Sequence, residues 1–140
     1  MSRYAGATGS FALDLAKFAQ QSQDAIDETL QEVVIELGNS LIRMSPVDTG
    51  RFRGNWQFSI GTPASGSLDT NDPSGNETSA RIVGDSILFK AGETAYIVNN
   101  LPYAIPLEYG HSEQAPSGMV RITLARFQAI VEEAIRTNKV

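Results

Sequence analysis

The sequence predicts an α+β domain: a long N-terminal amphipathic helix and a C-terminal helix packed on a small antiparallel β-sheet with a long inter-strand loop. Three observations predict it. From Leu15 to Met44 large apolar residues recur at steps of three and four, which places them on one helix face. Around 52–61 they alternate with polar residues, the period of a half-buried strand, and further short apolar runs lie between 81 and 98. Val120, Leu124, Phe127, Val131 and Ile135 then return to helical spacing. A chain of 140 residues fits one core. It is read as residues 10–140, preceded by a flexible tail at 1–9 made mostly of Gly, Ala, Ser and Thr.

In chain order, Phe11 and Leu13 suggest a brief strand near 10–13, and the long helix follows from Leu15. Its expected core face is Ile26, Leu30, Val33, Val34, Leu37 and Leu41, with Asp27, Glu28, Gln31, Glu32 and Asn39 toward water. Ser22 or Asp24 can cap a second segment, which allows a break near 20–24. Gly38 inside the pattern costs about 1 kcal/mol against Ala, so it points to a close helix crossing or backbone approach. Pro46 ends the helix, because its ring disfavours helical geometry at Ser45. The strand at 52–61 puts Trp56, Phe58 and Ile60 on one face.

Residues 62–80 hold Leu68 as their only large apolar side chain and read as an extended loop, mobile or ordered by a partner. Ile82, Ile87, Leu88 and Phe89 predict a strand over 81–90, with a turn or bulge at Gly84-Asp85. Ala95, Ile97 and Val98 continue as the next strand. Pro102 and Pro106 exclude a central strand beyond it, and 103–110 reads as a short helical turn that stops at Gly110. After a polar loop at 111–118 the last helix runs from 119 to 137. Ser117 is its cap, and Arg121, Arg126, Glu132, Glu133 and Arg136 lie on its solvent face.

The chemistry excludes more than it suggests. A net charge of −5 with scattered basic residues argues against tight binding of nucleic acid phosphates. Without cysteine there is no disulfide framework, thiolate metal site or cysteine nucleophile. His111 is the single histidine, and with Glu108 and Glu113 alone it makes a poor zinc site. Ser45, Ser112 and Ser117 lack a nucleophile-elbow setting, and the glycine-rich stretch at 6–10 lacks the lysine and strand of a phosphate loop. No apolar run approaches the roughly 20 residues that span a bilayer, and no secretory signal is read at the N-terminus. The expectation is a non-enzyme with no catalytic residue, cofactor or metal.

One stretch organises the chain: Ser45-Pro46-Val47-Asp48-Thr49-Gly50-Arg51-Phe52-Arg53-Gly54-Asn55-Trp56. Asp48-Thr49-Gly50 has the makings of a turn, since Asp and Thr bond forward to the backbone and Gly takes positive φ. Arg51 and Arg53 are expected on the side of the opening strand away from Phe52. There they are free to meet Asp48, Glu108 or a neighbouring subunit. A second stretch is Tyr96-Ile97-Val98-Asn99-Asn100, then Tyr103-Ala104, then Leu107-Glu108-Tyr109-Gly110.

These two stretches resemble the "P-V-D-T-G-x-L/F-R" and "Y-A-x-x-x-E-Y-G" signatures of small tailed-phage proteins of the neck, known as tail-completion, minor tail or head–tail joining components. The likeness covers about residues 25–136, with the 62–80 insert longer than the pattern and the N-terminal tail outside it. The resemblance implies a virion protein made in the host cytoplasm, a subunit of a homo-oligomeric ring, commonly a hexamer. Such a ring joins the tail tube to the head connector while DNA passes through without specific binding and no membrane is involved. A tail terminator that caps tube polymerisation, or a protein-binding module outside any phage, are the alternatives. Asp48, Thr49, Arg51, Arg53, Tyr103, Glu108 and Tyr109 are the expected subunit or partner contacts.

Overall fold

Helix α1 (Ala5–Met44) carries the molecule, 40 residues long without interruption and about 60 Å from end to end. The computed structural model describes residues 5–110, 112–115 and 117–138. The helix absorbs the strand expected near 10–13, the break expected near 20–24 and residues 5–9 of the expected tail. Alternation over four residues is too short to outweigh helical continuation from Leu15 onward. The helix stops at Met44, ahead of Pro46, as the ring demands.

After a 3-10 turn at Arg53–Asn55, strand β1 (Trp56–Ile60) pairs antiparallel with β2 (Ala95–Asn99), Phe58 opposite Ile97. The strand expected over 52–61 therefore begins only at Trp56. The strand expected over 81–90 is absent: helix α2 (Asn76–Ser86) occupies the end of the presumed loop and the start of that strand. Its buried stripe is Thr78, Ile82 and Ser86, spaced four apart. Two of those three side chains are small and polar, so apolar periodicity could not show it. Ile87 and Leu88 stand exposed, and only Phe89 enters the core. Helix α3 (Ala104–Glu108) tolerates Pro106 in its first turn and closes where the Gly110 N–H bonds the Leu107 carbonyl. The last helix is two pieces, α4 (Val120–Ala125) and α5 (Phe127–Thr137).

The core gathers Val34, Leu41 and Ile42 of α1 with Phe52, Trp56, Ile82 and Met119. Leu30, Phe58, Ile60 and Ile97 pack against it part-buried, so the face of β1 read from its alternation is correct. Helix α2 crosses α1 at Gly38, where an added Cβ would lie 3.2 Å from the Ile82 side chain. That is the close crossing the misplaced glycine implied. On another side α1 packs against α4 and α5, with Ser40 and Thr123 sharing a buried hydroxyl contact of 2.7 Å.

Two expected faces are corrected. Asp27 is buried, not solvated: its carboxylate accepts the Ala91 N–H at 2.8 Å, while Gln31 donates to the Phe89 carbonyl at 2.9 Å. Together they pin the turn after α2 to α1. On the last helix the buried residues are Met119, Thr123, Ile130 and Ala134. Val120, Leu124, Phe127 and Ile135 are exposed. Both sets fit a 3.6 period, and the smaller set lets the helix lie closer to α1.

Candidate functional site

The first signature folds as a knot of backbone contacts at the end of α1. The Ser45 hydroxyl donates to the Leu41 carbonyl at 2.6 Å and accepts the Trp56 indole N–H at 2.7 Å, so the helix end and the first strand residue share one buried group. Gly50 sits at φ 88°, and its carbonyl accepts the N–H of both Gly54 and Asp72. A Cβ there would run into the backbone of Asp72 and Pro73, so only glycine admits the 62–75 segment at this place. Asn55, fully buried, completes the attachment. Its amide oxygen accepts the Leu68 N–H at 2.7 Å, and its amide nitrogen donates to the carbonyls of Leu68 and Arg51. The segment expected to be mobile or partner-ordered is thus ordered by the chain's own signature.

Asp72 passes that order on to α2. Its carboxylate accepts the Thr78 N–H at 2.8 Å and the Thr78 hydroxyl at 2.7 Å, capping the first turn of the helix. Burial pushes the Asp72 pKa up, but the hydrogen bonds from Thr78, Glu77 and Gly75 outweigh it and leave the carboxyl below its ordinary value.

The second signature folds against the first through Phe52. The Phe52 ring lies 5.8 Å from both Trp56 and Tyr103, and the Asn99 side-chain amide donates to the Phe52 carbonyl at 2.9 Å. Gln114 adds a two-way bond to the Val47 backbone, accepting its N–H at 2.9 Å and donating to its carbonyl at 3.1 Å. Between the two signatures lies a cleft of about 240 Å³, lined by Asp48, Thr49, Arg51, Tyr103, Leu107 and Gln114 among others.

The expected contact residues divide into two groups. Asp48, Thr49, Arg51, Tyr103 and Tyr109 are exposed, and the first four line that cleft. Arg53 and Glu108 are committed inside the fold. Arg53 does not alternate with Arg51 on a strand, because 53–55 is a 3-10 turn. It folds back to donate to the carbonyls of Ser45 at 2.7 Å and Pro73 at 2.9 Å, tying the helix end to the ordered loop. Glu108 pairs with neither Arg51 nor Arg53. Its carboxylate accepts the N–H groups of Met119, Val120 and Arg121 at 2.8–3.0 Å and the Arg121 guanidinium at 3.1 Å. Burial raises its pKa, and those donors more than reverse the effect, leaving it below the ordinary value. The Arg121 guanidinium also stands 5.2 Å above the Tyr109 ring.

Sequence reasoning missed Asn55 and Asp72, which order the 62–75 segment, and Gln114, which ties across the cleft to Val47. Only Asn55 carried a signal, as the polar residue inside the signature. His111 lies outside the described residues. Among the described residues no group of three or more His, Cys, Asp or Glu could hold a metal ion. Nor, among the described residues, is any helix long and apolar enough to cross a membrane. No family model, no curated protein and no solved structure matches the chain.

Proposed function

We propose that the chain is a structural subunit of a tailed-phage neck, a tail-completion protein that closes into a homo-oligomeric ring between the tail tube and the head connector. The observation that carries the reading is the convergence of two sequence signatures, some fifty residues apart, on one cleft that exposes the Asp48 and Arg51 side chains. A ring needs a heterologous contact that closes on itself. Asp48, Arg51 and Tyr103 supply charge and aromatic surface to one. Arg53 and Glu108 serve it indirectly, by fixing the shape of the cleft. DNA would pass through without specific contact, in keeping with the acidic net charge.

The test is complementation of neck assembly with Asp48→Arg combined with Arg51→Glu. Both side chains are exposed, so the melting temperature should move by no more than about 2 °C. Electron microscopy should then show tails and filled heads left unjoined. Normal joining would remove the cleft from the mechanism. Overlong tails in place of unjoined ones would indicate a terminator of tube growth.

A further inference from the structure

Helix α1 outruns the body of the molecule. Its last neighbours toward the N-terminus are at the end of α5, where Ser22, Ile26, Leu30 and Ile135 line a groove of about 340 Å³. Residues 12–21 beyond that point are all exposed. Leu15, Phe18, Ser22 and Ile26 follow one another at steps of three and four. They continue the face on which Ser40 meets Thr123 further along the helix. A second exposed stripe, Leu124, Phe127 and Ile135, runs along α4 and α5 and ends in the same groove, where Ile135 faces α1.

We infer that the two stripes are two halves of one contact between copies of this chain. The arm of one protomer lies along α4 and α5 of its partner, and the partner's arm returns the contact through a two-fold axis. Three observations name a second copy as the occupant. Leu15 to Ile26 and Leu124 to Ile135 each span eleven steps of chain, about 17 Å at helical rise, the second crossing the Arg126 joint between α4 and α5, so the two stripes are of similar length. The six large apolar side chains of the stripes, all but Ser22, are 45% to 62% exposed. They leave on the order of 600 Å² of apolar surface per copy, so a reciprocal contact buries about 1,200 Å², the lower bound of a specific interface. No charged residue interrupts the arm's stripe, and Lys17 is the only cation between residues 12 and 42 of α1, so an anionic membrane is a poor alternative. An arm with no tertiary partner among the described residues is also poorly supported as a helix by itself. The inference does not rest on the neck reading, since the contact uses a surface away from the cleft.

Sedimentation velocity on the full chain, from about 5 to about 200 µM, tests it. Without the connector and tail tube between which the ring would close, the wild type should pass from monomer to dimer across that range. Phe18→Asp and, separately, Leu124→Asp should each raise the dissociation constant at least 10-fold, with the far-ultraviolet circular dichroism of the body retained. Leu13→Asp is the control: Leu13 is 66% exposed but on the opposite side of the arm, and its variant should pair like the wild type. Arg51→Glu should also pair normally, which separates this contact from the cleft. A monomer at every concentration overturns the inference. So does an oligomer indifferent to Phe18→Asp and Leu124→Asp, or a Leu13→Asp variant as impaired as Phe18→Asp.

Discussion

Asn55 shows what a single side chain does here. It is one residue inside a turn, yet two of its three hydrogen bonds attach a loop more than ten residues away, and the third closes on the Arg51 carbonyl. Replacing it with Ala leaves the Leu68 N–H and carbonyl without partners in a part-buried site, at about 2–3 kcal/mol. Asn55→Ala should therefore lower the melting temperature by about 5–10 °C. Limited proteolysis should show cleavage within 62–75 before the rest of the chain is cut. Cleavage elsewhere first would mean that the loop is held by something other than Asn55. Arg53 works in the same way, spending its cationic head on the carbonyls of Ser45 and Pro73. A basic residue in a conspicuous motif is here part of the frame.

Among the elements, the α1–α2 crossing has the least room. Gly38 is buried under Ile82, and any side chain there must move it. Gly38→Ala gains about 1 kcal/mol of helix propensity against a modest clash. Gly38→Leu has no such balance, and overpacking should cost about 1–3 kcal/mol. The midpoint of urea unfolding would read the loss, and an unchanged midpoint would mean that α2 is free to slide. The consequence reaches the cleft, because α2 is joined to the signature through Asp72 and the Arg81 guanidinium, which donates to the carbonyls of Gly54 and Trp56 at 3.1 Å.

The whole molecule depends on two carboxylates that cap helices from a distance, Asp72 on α2 and Glu108 on α4. Both have folded-state pKa values below the ordinary ones. The unfolded chain therefore binds more protons than the folded chain through the acid range. Their contribution is present in full above the ordinary carboxylate range and is lost as pH falls through it toward the folded values. Unfolding free energy should decline from pH 6 to pH 3, and Glu108→Gln should flatten part of that slope while lowering stability at neutral pH. A variant with the wild-type slope would show that Glu108 titrates alike in both states.

What the sequence determined by itself was the set of elements whose signal is large apolar side chains at a fixed period. The helix from Leu15 to Met44 and the inward face of Trp56, Phe58 and Ile60 were legible in this way, and the helical stop at Gly110 was legible from its glycine. So was the tight approach at Gly38, because glycine inside a helix needs a reason. Tertiary structure decided the rest, where small or polar groups carry the burial. Thr78 and Ser86 make α2 a core helix with a single large apolar side chain between them. Met119, Thr123 and Ala134 win the inner face of the last helix over Leu124 and Phe127. Periodicity measures how apolar a face is; packing chooses the face that lets two backbones come close, and it leaves the larger side chains for whatever lies outside the chain.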